Sequence, residues 1–465
     1  MFKRHALACA LLSAMGTSAW AGANASTPTQ NDLAQLRADF EAMKRAYEAR
    51  IQSLEQQLQA TQQLATQADQ KAQAAQVTAQ TTAQTAAQDV AATSTPAQTA
   101  AASNVFNPDI SLILSGTYAT RSNPQPYSIT GFQAGGEIAP ADRGFNLGES
   151  ELGIYANVDP NFYGGLNLAL APDNTVGVEE AFVQTTSLPA NLTLKMGRFY
   201  SGIGYQNARH AHTWDFVDNP LVYVAFLGNQ FADDGLQLKW LAPTDLFVEL
   251  GAEVGRGRIA ESSGRSKNGT AAGAVFGHVG GDWGISSSWR AGLSYLRVSP
   301  EDRQSADVDG TGAEVTNTFN GQSRIGIADF VYKWAPNGNP VNQNFTFQTE
   351  FMHRSEDGLL NTDSYSASQS GWYAQGVYQF VKGWRTGLRI DRLNGGSVDY
   401  GANTANLVFS GYNPKRVSWM IDYNPSEFSR IRLQLARDES SQLRADNQVF
   451  VQYQMNLGAH GAHSY

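Results

Sequence analysis

His210-Ala211-His212 is the sharpest local chemical feature of this chain, two imidazoles two residues apart. On extended backbone such residues project to one side, so both rings could grip a single divalent ion. Asp215 and Asp218 follow closely enough to add a carboxylate, giving a donor set that zinc and similar metals accept. An imidazole near its ordinary pKa of about 6.5 is mostly neutral at pH 7 and able to ligate. The competing reading is a pair of polar loop residues that meet no metal. A second pair, His460 and His463, belongs to the C-terminal Gly458-Ala-His-Gly-Ala-His-Ser-Tyr465 and reads as a solvated end.

The first pair lies in 199–233, the longest irregular stretch of the chain beyond its N-terminal region. Stretches of that length between regular elements usually carry function. Asp215, Asp218, Asp233 and Asp234 outnumber Arg198 and Arg209 there, leaving the segment acidic. Phe216, Val217, Leu221, Val222, Tyr223, Val224, Phe226 and Leu227 could anchor it to a wall.

Such a segment needs a frame, and from Asn107 onward apolar and polar residues alternate with period two. Sixteen runs read as strands, the first 110–118 and the last 447–457. Short turns such as Val158-Asp159-Pro160-Asn161 and Asn424-Pro425-Ser426 alternate with longer segments at 119–145, 199–233, 256–269, 299–321, 356–370, 394–413 and 439–446; only 172–176 breaks the pattern. An even strand number with tight turns at one end and long loops at the other fits an antiparallel transmembrane barrel, which at sixteen strands encloses water rather than side chains. Within strands, Val417, Trp419, Ile421 and Tyr423 oppose Arg416, Ser418 and Asp422, while Phe345, Phe347 and Phe351 oppose Asn344, Gln348, Glu350 and Arg354. The polar faces place Glu149, Glu151, Glu180, Glu249 and Glu253 on strands two to seven and Arg385, Arg389, Arg416 and Arg432 on strands thirteen to fifteen. Acids facing arginines across a constriction set up a transverse field; the bland reading is that these charges only solvate the lumen.

Composition agrees. Charged residues are 16% against roughly 25% for soluble chains, while 44 glycines and 11% aromatics take their place. Mean hydropathy is −0.35, and no long apolar run follows the N-terminus, which excludes a helical membrane protein. A net charge of −9 argues against nucleic acid as a partner.

Lys3 and Arg4 precede an apolar stretch from Ala6 to Gly16 and then small residues, the pattern of a cleaved signal over 1–25. Cys9, the sole cysteine, falls inside it, so the mature chain has no disulfide, thiolate ligand or Cys nucleophile. Residues 26–104 are rich in Ala, Gln and Thr. Leu33, Leu36, Phe40, Met43 and Tyr47 recur at alternating steps of three and four, the seam of a coiled coil. The step to Ile51 is a stutter, and the seam thins to alanine after Leu58. No nucleophile elbow, His-Glu-x-x-His or phosphate loop occurs, so the chain is not expected to be an enzyme.

Gly-Phe-Asn-Leu-Gly-Glu-Ser-Glu-Leu at 144–152, Ala-Asn-Val-Asp-Pro at 156–160, Val-Glu-Glu-Ala-Phe at 178–182, Leu-Lys-Met-Gly-Arg-Phe at 194–199 and Leu-Ala-Pro-Thr-Asp at 241–245 resemble proteobacterial outer-membrane β-barrel porins near the phosphate-selective and dicarboxylate group. Some relatives in that group are labelled zinc-regulated outer-membrane receptors. The resemblance implies a trimeric barrel behind a periplasmic coiled coil, a third outer loop folded inward, and porin-like uptake in which metal can be a solute. An excess of acids in the barrel departs from an anion filter, and the Ala/Gln-rich helix cannot serve as a receptor plug.

The chain is therefore expected to comprise a signal peptide (1–25), a periplasmic coiled coil and linker (26–104) and an outer-membrane barrel (105–465). Its expected function is passive diffusion of small solutes, favouring divalent cations such as zinc as cargo rather than cofactor. Expected partners are outer-membrane lipid, further copies of itself through barrel and coiled coil, and peptidoglycan. The alternatives are an anion-selective pore for dicarboxylate or phosphate, and a structural barrel that tethers the outer membrane to the cell wall.

Overall fold

A computed structural model describes residues 108–458 except 124–126, 137, 259–267, 309–312, 406 and 408–410, together with Glu41 and Lys44. The expected signal, the coiled-coil seam, His460, His463 and Tyr465 lie outside the described residues.

Period-two alternation over residues 109–458 produces one antiparallel sheet of eighteen segments. β1 (Asp109–Arg121) pairs with both β2 (Gly144–Leu147) and β3 (Ser150–Asp159), two halves of one stave interrupted at Gly148-Glu149. A meander follows through β4 (Phe162–Leu170), β5 (Val176–Thr185), β6 (Leu192–Tyr200), β7 (Ala232–Leu241), β8 (Phe247–Gly255) and β9 (Ala272–Trp283). β10 (Ser287–Val298) and β11 (Arg303–Val308) again form one stave, since both pair with β12 (Glu314–Trp334). β13 (Asn344–Leu360), β14 (Asp363–Val381), β15 (Trp384–Asp399), β16 (Lys415–Ser426), β17 (Ser429–Glu439) and β18 (Asp446–Gly458) complete the circuit. β18 pairs with β1 from Ser111 opposite Gly458 to Arg121 opposite Gln448, and the sheet closes as a barrel of sixteen staves.

Three connections depart from the sequence reading, 394–413 among them because β15 runs on to Asp399. Much of 299–321 is strand, in β11 and the start of β12, and 356–370 turns within Asn361-Thr362. The charges at His353, Arg354, Glu356 and Asp357 interrupt the apolar pattern without ending the strand. At 16 to 21 residues, β12 to β15 exceed the 9–11 that cross a bilayer, and beyond the membrane both faces of a stave can be polar. There Arg303 and Glu356 form a buried ion pair at 2.6 Å on the inner side.

The faces fall as alternation requires. Val417, Trp419 and Tyr423 are exposed on the outside while Arg416, Ser418 and Asp422 of the same strand are buried inside. Leu236, Leu238, Leu250, Leu388, Ile431 and Val451 extend the outer apolar surface. Trp283 stacks 5.8 Å from Trp289, and Trp384 4.7 Å from Tyr423, near the short-turn end, where aromatic girdles meet a membrane interface. This is an inside-out protein suited to lipid, where a lysine or arginine on the outer midplane costs about 2–4 kcal/mol.

The lumen corrects a stronger expectation. It holds an apolar core rather than water alone. Pro220 opens and Gly228, at φ 63, closes a seven-residue helix, α1 (Leu221–Leu227), all of whose residues are buried. A helix apolar on every side must be enclosed. Here β14 and β15 back it, and Phe132 of the first outer segment meets Phe226 at 5.9 Å. Ile325, Ile327, Met352, Tyr373 and Leu393 make the inner wall apolar at this level. The sequence reading of a water-filled lumen did not include this apolar level of the inner wall.

Candidate functional site

The segment between β6 and β7 crosses the lumen as a strap, fastened at each side by charges of opposite kind. Near its start, Ser201 Oγ donates to Glu253 at 2.6 Å, and the backbone N–H groups of Tyr205 and Gln206 donate to the buried Glu350 at 3.1 and 3.0 Å. It then reaches the acidic wall. His210 Nε2 lies 3.0 Å from Glu180 Oε2, and its Nδ1 lies 3.2 Å from Glu179 Oε2 and 3.5 Å from Glu151 Oε2. His212 Nδ1 is 2.9 Å from Glu151 Oε1. The two rings stack with centroids 5.7 Å apart.

At the other wall the strap meets arginines. Arg385 donates to Asp215 at 2.9 Å and also pairs with Asp422. Asp218 receives Arg389 at 2.8 Å and Arg416 at 2.6 Å. Arg432 and Arg430 donate to the carbonyls of Trp214 and His212, each at 2.7 Å. The wall arginines are thus engaged with the strap's aspartates and with wall acids such as Asp391 and Asp422. What the sequence suggested as a field across open water is largely a row of closed ion pairs.

Electrostatics hold the strap in place. Burial pushes the Asp218 carboxyl up, but Arg416 and Arg389 outweigh it and bring the pKa down to about 2. Burial raises Asp215 as well, and Arg385 and Arg209 pull it below the ordinary range. For His210, burial disfavours the charged ring, yet the Glu179 and Glu180 carboxylates prevail and hold its pKa well above the usual value. His210 therefore keeps its proton near neutrality, contrary to the neutral ligand the sequence suggested.

The metal-ligand set also changes. Asp215 and Asp218 serve the arginine wall, and His210 and His212 lie in and beside a short 3-10 turn, Ala211–Thr213, rather than a strand. The oxygens of Glu151 and Glu179 and a nitrogen of His210 all lie within 4.8 Å of one another, a grouping able to hold a divalent ion once His210 gives up its proton. Asn167 Nδ2 orients it, donating to Glu151 at 3.0 Å and Glu179 at 3.1 Å.

Between the strap and the short-turn end lies a cavity of about 920 Å³. Glu151, Glu180, His210 and His212 line it, with Arg385, Arg430 and Lys333 also on its wall. Arg198, Asp233 and Asp234 take no part. Arg198 pairs with Asp234 at 2.7 Å, and Asp233 accepts the N–H groups of Gly257 and Arg258. Arg209 donates to Tyr205 within the strap. Glu249 holds Lys239 and His278, whereas Glu149, at the break between β2 and β3, hydrogen-bonds Glu179 and adds its charge to the cluster around His210.

Over 391 residues the chain is 30% identical to an uncharacterised protein of Aquifex aeolicus (strain VF5), across 77% of this chain and 80% of that protein. It belongs to that protein's family. No family model matches the sequence. Among solved structures it is similar to OmpT of Vibrio cholerae, with 11% identity, 76% of this chain and 98% of that one covered, and a TM-score of 0.48. It is also similar to the outer membrane channel DcaP of Acinetobacter baumannii (10% identity, 76% and 99% covered, TM-score 0.46). The anion-selective porin from Comamonas acidovorans aligns at 9% identity over 76% and 99% of the chains, with a TM-score of 0.46.

Sequence reasoning missed Glu179 for a physical reason. Strict alternation sends Glu180 inward and Glu179 to lipid. A register shift between β4 and β5 pairs Asn167 with Glu180 and Leu168 with Val178, leaving Glu179 as the extra residue of a bulge. Both carboxylates then reach His210. The adjacent Glu-Glu in an otherwise alternating strand was the available signal.

Proposed function

We propose that this chain is an outer-membrane porin of restricted bore, passing small solutes passively with a mild preference for cations. The observation that carries the reading is the strap, fastened to Glu151, Glu179 and Glu180 on one side and to Arg385, Arg389 and Arg416 on the other. It narrows the barrel and leaves at the short-turn end a vestibule where Glu151, Glu180 and other acids face Arg385, Arg430 and Lys333. The apolar exterior and its aromatics support placement in an outer membrane, with the short turns facing the periplasm. Assembly as a homotrimer and the absence of enzymatic activity belong to the same reading.

Divalent cations such as zinc contact Glu151, Glu179 and His210 in passage. Because His210 is protonated, zinc must displace a proton, which keeps its hold weak; a pore ligand that binds tightly stops conduction. Anion preference is the second reading. Arg430 favours it, since this vestibule cation donates to carbonyls and Gln454 and has no carboxylate within 4.0 Å among the described residues.

Planar-bilayer recording tests both. The porin reading expects discrete channels, a cation-shifted reversal potential in a KCl gradient, and zinc sensitivity that His210→Ala/His212→Ala abolishes. Absence of channels rejects the porin reading, an anion-shifted potential selects the second reading, and unchanged zinc sensitivity removes the histidines from the path.

A further inference from the structure

A separate inward-facing pair lies on the wall formed by β9, β10 and β12. His278 on β9 is buried, with Nδ1 3.2 Å from Glu249 Oε1 and Nε2 without a hydrogen-bond partner. Asp329 on β12 is 5% exposed, and neither carboxylate oxygen has a partner. Both residues stand opposite Gly292 of β10 in register, one on each side. A Cβ at Gly292 would fall 2.1 Å from Asp329 Oδ2 and 2.5 Å from His278 Cδ2, so both side chains lean over the glycine into the same space.

Buried carboxylates and imidazole nitrogens are ordinarily satisfied, and each exception asks for an occupant. Arg290 is near enough to act electrostatically on both groups, yet among the described residues it forms no ion pair with Asp329 within 4.0 Å, and its own Nε also lacks a hydrogen-bond partner. Its guanidinium donates to the Gly204 carbonyl at 3.3 Å and lies over the Tyr205 ring. Glu350, opposite Asp329 on β13, adds further negative charge, while its own oxygens accept from Tyr205, Gln206, Tyr223 and Tyr373. The tautomer is informative. With its proton on Nδ1, donated to Glu249, the ring leaves a free lone pair on Nε2, the atom bonded to the Cδ2 that overhangs Gly292. A carboxylate behind an imidazole whose other nitrogen is free is the arrangement that orients metal-binding histidines.

We propose that His278 Nε2 and the Asp329 carboxylate form a divalent-metal site, with Glu249 as the residue that positions His278. One nitrogen and one oxygen donor, completed by water, suit zinc or a similar borderline ion. The site is distinct from the histidine pair of the strap and touches none of its ligands. It lies beneath the strap's start, since Gly204 N–H donates to Ser294, two residues along β10 from Gly292, at 3.1 Å. Metal bound there would brace the wall on which the strap rests.

The test is zinc binding by the full-length protein in detergent, measured against a competing chelator, in a His210→Ala/His212→Ala background. His278→Gln and Asp329→Asn are each expected to weaken one zinc equivalent at least tenfold, and Glu249→Gln about tenfold. Gly292→Ala should do the same without removing a ligand, because its methyl occupies the cleft. Cobalt in place of zinc should give an absorption spectrum that His278→Gln abolishes. Heat-resistant electrophoretic migration reports that each barrel is folded. If folded His278→Gln and Gly292→Ala bind zinc as the background protein does, the proposal is overturned. If His278→Gln fails to fold, Gly292→Ala and the cobalt spectrum of the background decide alone, and loss of neither zinc nor cobalt binding in Gly292→Ala rejects the site. Channel recordings read the porin proposal separately, so either can fail alone.

Discussion

Asp218 Oδ2 lies 2.6 Å from Arg416 Nη1, joining the middle of the lumen strap to the inner face of β16. Arg416 is almost wholly buried, and Asp218 also takes Arg389. Removing one member of a buried pair leaves the other uncompensated, at about 3–5 kcal/mol. Asp218→Asn should therefore loosen the strap while the barrel stays closed. Single-channel recording should show higher unit conductance and more open-state noise than wild type. Unchanged conductance would mean the pair does not hold the constriction.

The same carboxylate sets the acid limit. Its folded pKa of about 2 lies below the ordinary value near 3.9. The stabilisation it provides is complete above the unfolded value and lost as pH falls from about 4 through about 2. Conductance should stay steady from neutrality to about pH 4 and rise only below that. A rise already complete at pH 5 would assign the acid response to another group.

His210 behaves with opposite sign. Its pKa is raised in the folded chain by Glu179 and Glu180. The stabilisation is fully present below the unfolded pKa of about 6.5 and declines as pH rises through the folded value. The strap's acidic fastening should weaken on the alkaline side, increasing gating noise, while zinc sensitivity rises as the ring loses its proton. His210→Gln should flatten both responses. Persistence of the alkaline change in that variant would place the titrating group elsewhere.

The staves were legible because lipid on one face and polar groups on the other enforce a period of two, as Val417 and Arg416 illustrate. The length of 199–233 marked the segment as functional and the porin resemblance implied that it folds inward; its His210-His212 pair meets wall glutamates rather than Asp215 or Asp218. Which carboxylates was not legible. The Glu179 bulge shifts one residue against its neighbours, and the partners of Asp215 and Asp218 are set by Arg385, Arg389 and Arg416, about 170 to 200 positions away. Glu350 was legible as a residue of the polar face, but its contacts with the strap were not, nor was the apolar inner wall at Ile325, Met352 and Leu393. Their role exists only once α1 is folded against them.

That apolar contact gives the last test. Phe226 is 2% exposed, meets Phe132 at 5.9 Å, and lies under the Arg354 guanidinium, 4.7 Å from the ring centre. Arg354 also donates to the carbonyl of Ala225, so ring and backbone of α1 are gripped by one wall residue. Phe226→Ala removes the ring from a filled interior, where such truncations cost about 3–5 kcal/mol. Because the sixteen staves are closed by their own ladder, the loss should fall on the strap rather than on the barrel. Heat-resistant migration should persist, while residues 221–227 gain hydrogen exchange and conductance increases. A variant whose barrel melts with the helix would show that the inner core supports the wall; one with neither change would show that Phe226 does not anchor α1.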